Sequence, residues 1–172
     1  DDRPRYFGTK DVDPLSVAGA FATFANQGMY CTPQAITKVT TSIEGLAEPK
    51  VPGPNCKQTL DRNVANGVTS LLTGVITQPG GTGAGLSIGR PAAGKTGTDD
   101  DYKNGWFSGY TPNLAASVWV GNPDSATPMK NVTVNGKTYP EVFGATLSGK
   151  IWQQAMKGAG KSLPVQQFAQ IG

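Results

Sequence analysis

Arg90-Pro91-Ala92-Ala93-Gly94-Lys95-Thr96-Gly97-Thr98-Asp99-Asp100-Asp101 decides the reading of this chain. Gly94 to Thr98 sets one cation, two hydroxyls and two glycines side by side, and three carboxylates follow. Such a segment is poor core material, and its groups suit an anion or a polarised carbonyl. If 92–98 is a strand, side chains alternate across it, so Lys95 and Gly97 face one way and Thr96 and Thr98 the other. Working outward, Asp99 to Asn104 is a turn. Gly105-Trp106-Phe107-Ser108-Gly109-Tyr110 and Leu114 to Gly121 are dense in sheet formers, with Thr111-Pro112-Asn113 as the turn between them. The spacing predicts an antiparallel meander, 92–98, 105–110 and 114–121, with Lys95 on its first strand.

Composition narrows the chemistry. The chain has 172 residues, enough for one domain or a large part of one. With 23 Gly and 13 Pro it must hold many turns and short elements. No apolar run approaches the ~20 residues of a membrane span, and no signal peptide is present. If the protein is exported, its targeting segment lies outside these residues. The net charge of +3 comes from scattered basic residues, which reads as solvated surface and argues against a nucleic-acid partner. The absence of His excludes a Ser-His-Asp triad and a His-metal site within the chain. Cys31 and Cys56 are too few for a zinc site. Both sit in turn-like surroundings, and two readings stand: free thiols, or one disulfide worth roughly 3 kcal/mol by loop closure.

The remaining elements follow from pattern. Asp1 to Asp11 reads as loop or edge structure. Asp13-Pro14 signals a helix start, and Leu15, Ala18, Ala22 and Ala25 recur at helical spacing up to a stop at Gly28, which predicts a buried helix. Ala35 to Thr41 alternates and is rich in β-branched residues, so a strand is expected. Asp61 caps a second helix with a stripe of Val64, Val68, Leu71, Leu72 and Val75. The glycine-rich loop 78–89 is either a surface linker or a backbone brought up to a ligand. Asn135-Gly136 marks a small hairpin over 132–139. A last amphipathic helix covers 147–158, and the tail 161–172 carries no clear signal.

Gly89 to Thr96 also fits the phosphate-loop pattern G-x-x-x-x-G-K-[ST] letter for letter. That reading needs a buried strand before the loop and a helix starting at the Lys-Thr pair, aimed at the phosphates. Only Leu86-Ser87-Ile88 precedes, and Gly97, three aspartates and a sheet-forming run follow. The carboxylates would also repel a polyphosphate. The hairpin context suits the other match, Lys95-Thr96-Gly97 as the third motif of the penicillin-recognising serine enzymes.

Three longer stretches carry that resemblance. They are Arg90 to Thr98, then Trp106-Phe107-Ser108-Gly109-Tyr110-Thr111-Pro112, then Ala115 to Gly121. Asp13 to Gly28 fits as well, as does Ile151-Trp152 with Met156. Together they strongly resemble the transpeptidase domain of bifunctional class A penicillin-binding proteins, over about 12–158. The texture around Cys31 and Cys56 resembles the actinobacterial branch.

The resemblance implies an α/β fold of the α+β type, with a five-stranded antiparallel sheet flanked by helices. It implies a serine acyltransferase that cross-links peptidoglycan stem peptides at the outer face of the cytoplasmic membrane, with the anchor outside these residues. β-Lactams would act as covalent inhibitors, and no cofactor or metal is called for. Lys95 would supply positive potential as a catalytic group. Thr96 and Thr98 would hold the substrate carboxylate, Gly97 would give clearance, and the Thr98 N–H would be an oxyanion donor. A D,D-carboxypeptidase, a β-lactamase, or a non-catalytic β-lactam-binding sensor or scaffold are the alternatives.

The family also needs Ser-x-x-Lys and Ser-x-Asn. None of Ser16, Ser42, Ser70, Ser87, Ser108, Ser117, Ser125, Ser148 and Ser162 has Lys three residues on or Asn two residues on. The expectation is therefore that 1–172 is the C-terminal part of one transpeptidase domain. Its partner would be a complementary N-terminal chain that carries the nucleophilic serine.

Overall fold

The computed structural model describes residues 11–99 and 101–172. In chain order these form α1 (Pro14–Ala25), β1 (Met29–Cys31), β2 (Cys56–Gln58), α2 (Arg62–Thr77), β3 (Ala93–Thr98), β4 (Asn104–Thr111), β5 (Leu114–Gly121), β6 (Lys130–Val134), β7 (Lys137–Glu141) and α3 (Ser148–Ala159). The expectation for Asp1 to Asp11 falls almost wholly outside the described residues, as does Asp100.

α1 and α2 start on the carboxylate caps read from the sequence. Asp13 accepts from the Ser16 amide at 2.8 Å and from its hydroxyl at 2.6 Å, with Pro14 at the first helical position. The Ser16 hydroxyl bond, with the Ser16 amide, holds the Asp13 carboxyl below the usual carboxylate range. Asp61 accepts from Asn63 N at 2.8 Å and Val64 N at 3.3 Å. α1 ends at Ala25. Gln27 and Gly28 then turn the chain with φ of 52° and 86°, and a Cβ on Gly28 would stand 2.8 Å from Gln58 Nε2.

The predicted meander is present. β3, β4 and β5 form one antiparallel sheet in that order, with Gly97 opposite Trp106 and Phe107 opposite Val118. Directly opposed residues share a face. One face therefore carries Gly94, Thr96 and Thr98 with Gly105, Phe107 and Gly109. The other carries Ala93, Lys95 and Gly97 with Trp106, Ser108 and Tyr110.

α3 covers the first face. Trp152 is fully buried, packs at a tilt against Phe107 with ring centroids 4.8 Å apart, and donates its indole N–H to Gly109 O at 3.2 Å. A Cβ on Gly109 would stand 2.7 Å from the Trp152 ring, so that glycine is the space the indole occupies. Ile76, Leu86, Ile88, Ala92 and Met156 complete this core. On the second face Tyr110 is fully buried beneath Phe21 of α1, its hydroxyl 2.8 Å from Thr69 Oγ1 of α2.

Several expectations need correction. The strand over Ala35 to Thr41 is absent. Strand propensity reports fit to a pleated, half-buried surface; among the described residues no partner strand is present here, and Ile36 is 58% exposed. Instead β1 and β2, which the sequence presented as turns, pair across this excursion, and Cys31 is joined to Cys56 by a disulfide. Of the two readings of the cysteines, the bonded one holds.

The stripe on α2 is rotated from its expected place. Ala65, Asn66, Thr69 and Ile76 are buried, while Val64 and Leu71 are 55% and 78% exposed. The reason is what α2 meets: the Tyr110 hydroxyl recruits Thr69 inward. α1 is half-covered rather than buried, with Thr23 its one buried residue and Leu15 exposed. The main sheet has three strands among the described residues where the resemblance implied five, which leaves β5 with an unpaired edge.

The small hairpin is present as β6 and β7, turned by Asn135 and Gly136 at φ of 48° and 76°. The tail is a strap. Arg90 donates to Gly160 O at 2.7 Å, Asn113 to Pro164 O at 3.0 Å and Asn66 to Gln170 O at 2.9 Å, and Phe168 packs on Tyr110. Its anchors come from distant side chains, so the tail's own residues carry no local pattern.

Candidate functional site

Among the described residues β3 pairs with β4 alone and has one open edge. The Asp99 amide donates to Asn104 O at 3.3 Å, which fixes the phase of the ladder. Alternation then turns the N–H and C=O of Thr96 and Thr98 away from β4. Lys95 agrees with this phase, because its ammonium reaches the Thr96 carbonyl at 2.8 Å. Lys95 and the two threonines lie on opposite faces of β3, and its open edge is what they share. An extended ligand laid along that edge would meet main-chain donors from Thr96 and Thr98 with the ammonium close by.

Each side chain has a specific setting. Thr96 is half-buried and donates its hydroxyl to Thr82 Oγ1 at 2.9 Å. Thr98 is exposed, and its hydroxyl oxygen accepts the Gly144 amide at 2.9 Å. A hydroxyl that accepts in this way keeps its own proton to donate. Gly97 lies against Trp106, where a Cβ would stand 3.0 Å from the Trp106 Cβ. Gly144 packs flat on the strand pair: a Cβ there would meet Trp106 O and would stand 2.6 Å from Gly97 O.

Asp99 and Asp101 build the turn after Thr98. Asp99 accepts from Lys103 N at 2.7 Å and from the Asn104 side chain at 2.8 Å. Burial pushes the Asp99 carboxyl up, but the Asn104 side chain and backbone bonds, the Lys103 amide and the Lys103 charge outweigh it, and the net shift is downward. Asp101 pairs with the Lys103 ammonium at 2.6 Å and raises the lysine's pKa through that hydrogen bond and its charge. Among the described residues no cluster of acidic or Cys side chains is arranged to hold a metal ion. The buried serines are spent on structure. Ser108 bonds Ser117 at 2.6 Å, and Ser148 donates to Gly105 O at 2.7 Å.

The same strand lies inside the stretch that matches known proteins. Residues 7–143 match the model of the penicillin-binding protein transpeptidase domain, which is most of the chain. The chain belongs to that family. It is 33% identical over 159 residues to penicillin-binding protein 1A of Mycolicibacterium smegmatis, covering 90% of this chain and 19% of that protein. It is 35% identical over 160 residues to penicillin-binding protein 1A of Clostridium botulinum, covering 92% of this chain and 17% of that protein. The chain thus spans under a fifth of these curated relatives. In structure it is similar to the penicillin-binding protein PonA1 from Mycobacterium tuberculosis, with a TM-score of 0.74 at 29% identity over 90% of this chain and 40% of that one. Penicillin-binding protein 1A from Haemophilus influenzae, at 21% identity, a TM-score of 0.73 and 92% and 28% coverage of the two chains, shares the fold.

Within this penicillin-binding protein family chain, the structure places Lys95, Thr96, Gly97 and Thr98 on β3, with the main-chain groups of Thr96 and Thr98 and the Lys95 ammonium at its open edge. It adds two residues that sequence reading passed over, Thr82 and Gly144. Thr82 lay in a loop rich enough in glycine to suggest backbone contact. Gly144 carried no signal, because its importance is the close approach of a distant segment.

Proposed function

We propose that the chain forms one wall of a serine D,D-transpeptidase site, and that the nucleophile lies outside these 172 residues. The open edge of β3 carries the reading: it offers the Thr98 amide, the Thr98 hydroxyl proton and the Lys95 ammonium to an extended peptide that ends in a carboxylate. A D-Ala-D-Ala stem of peptidoglycan is such a peptide, and a β-lactam carries the same carboxylate. The names of the relatives, penicillin-binding proteins 1A, support this class of ligand. Membrane anchoring at the extracytoplasmic face belongs to the same reading, with the anchor elsewhere.

The chemistry assigns each group a task. The serine oxygen of a Ser-x-x-Lys motif bonds to the penultimate D-Ala carbonyl carbon, and its proton passes to the neighbouring base. The carbonyl oxygen gains negative charge, which the Thr98 N–H stabilises at about 3 kcal/mol for such a donor. The C–N bond to the terminal D-Ala breaks, and the departing nitrogen takes a proton. An amine from a second stem then displaces the serine. Thr96 and Thr98 hold the terminal carboxylate, Gly97 admits the backbone of the substrate, and Lys95 supplies positive potential between them.

The nucleophile-bearing part is either a separate polypeptide associated with this one or a further segment of one longer chain. The exposed apolar residues Val64, Leu71, Ile36 and Leu15 and the unpaired edge of β5 suit either arrangement, because each is surface that such a segment covers. The test is to label a preparation containing both parts with a fluorescent penicillin and map the adduct by peptide mass spectrometry. A serine of a Ser-x-x-Lys motif outside residues 1–172 is the expected site. An adduct on a serine within them contradicts the proposal. Release of D-Ala that depends on an added amine separates transpeptidation from D,D-carboxypeptidase action, which uses water.

A further inference from the structure

The glycine-rich loop before β3 is neither a slack linker nor a bare ligand cradle. Gly81 and Gly83 bond back to the end of α2, through Gly81 N to Gln78 O at 3.0 Å and Gly83 N to Val75 O at 2.9 Å. A Cβ on Gly81 would stand 2.8 Å from Gly74 O, and one on Gly83 would stand 3.2 Å from the Phe107 ring. These glycines are where the loop backbone lies flat on helix and core. From α3, Gln153 donates to Gly85 O at 3.1 Å and Ser87 O at 2.7 Å, and the Leu86 side chain packs on Gly149. The loop is held at both ends without help from Thr82. Yet Thr82 projects from it to meet the Thr96 hydroxyl at 2.9 Å.

We propose that Thr82 is a positioning residue for the carboxylate-binding hydroxyl of Thr96, an inference that rests on the reading of β3 given above. A hydroxyl both donates and accepts. In the free site Thr96 donates to Thr82, so its oxygen is held in one rotamer and its proton points away from the strand edge. When a carboxylate arrives, the pair reverses: Thr82 turns its proton to the Thr96 oxygen, and the Thr96 proton goes to the carboxylate. No bond is lost in the exchange, and a Thr96 that donates to an anion while accepting from Thr82 is polarised in the favourable sense. Thr98 is held by the same logic from the other side, by the Gly144 amide. The two hydroxyls are thus braced by two segments far apart in sequence, 82 and 144.

The experiment uses a preparation with both parts of the site and compares acylation by benzylpenicillin, which has the carboxylate, with acylation by its methyl ester, which lacks the charge. Thr82→Val keeps the shape and removes the hydroxyl. It is expected to slow acylation by benzylpenicillin about tenfold, as loss of one hydrogen bond predicts, and to leave the ester within about twofold. Thr82→Ser is expected to restore the wild-type rate, and the melting temperature to stay level across the three proteins. Thr96→Val with Thr82→Val should be no slower than Thr96→Val alone. Equal slowing of both substrates by Thr82→Val, or no rescue by Thr82→Ser, overturns the inference. If Thr96→Val slows benzylpenicillin and Thr82→Val does not, this inference falls and the carboxylate role of Thr96 stands. If Thr96→Val itself has no effect on benzylpenicillin, the carboxylate role fails and the part given to Thr82 with it.

Discussion

The Gly144 amide donates to the Thr98 hydroxyl oxygen at 2.9 Å, across a sequence separation of 46 residues. The contact joins the segment before α3 to the outer end of β3, and among the described residues the threonine proton has no acceptor. Nothing larger than glycine fits at its origin, because Gly144 lies against Gly97 and the Trp106 carbonyl. Gly144→Ala should push this segment off the strand pair. The expected cost is about 1–3 kcal/mol of stability, the range for overpacking, together with slower acylation by penicillin. Denaturant unfolding and labelling kinetics check both, and a variant equal to wild type in both would show that the contact is slack.

Trp152 should be the most sensitive core position. It is fully buried, packs at a tilt against Phe107 and fills the space over Gly109. Trp152→Ala should cost about 3–5 kcal/mol. Trp152→Phe should cost less, yet leave the Gly109 carbonyl without its indole donor. Chemical denaturation of the two variants ranks them.

Reduction of Cys31–Cys56 releases a loop with a sequence separation of 25. Chain entropy predicts a loss of about 3 kcal/mol. The effect should centre on β1 and β2, with the β3–β4–β5 meander unchanged. Hydrogen exchange before and after reduction reads this directly: faster exchange at Met29–Cys31 and Cys56–Gln58, level exchange in β4.

Burial pushes the Tyr110 phenol up to about 12 from 10.0, with the Thr69 hydrogen bond opposing. A folded pKa raised above the unfolded one means the contribution is whole below pH 10 and is lost as pH rises through 12. Stability should therefore fall by about 1.4 kcal/mol per pH unit in that window from this group. Tyr110→Phe removes this part of the slope. Urea midpoints at pH 9 and pH 11 for the two proteins give the comparison.

The meander was legible because its signals are local. Trp106, Phe107, Val118, Trp119 and Val120 favour strands, and Asn135-Gly136 and Asp13-Pro14 favour one conformation each without outside help. The errors lie where the environment decides. Ala35 to Thr41 has strand composition and, among the described residues, no neighbouring strand. On α2, the Tyr110 hydroxyl 41 residues away brings Thr69 inward, while Leu71 faces out. The candidate site residues Lys95 to Thr98 were read from the motif. Their braces Thr82 and Gly144 were not, because a hydroxyl pair and a close backbone approach exist only once distant segments meet.

Lys95 bears the central claim, that the open edge of β3 is a wall of an acyl-transfer site. The direct measurement is the second-order rate constant for acylation by fluorescent penicillin, for wild type and Lys95→Ala, in a preparation that contains the serine-bearing part. Loss of this cation should lower the constant by about a hundredfold or more, as for other groups that stabilise charge in the transition state, with the melting temperature unchanged because Lys95 is exposed. An unchanged rate constant in the Lys95→Ala protein would contradict the account.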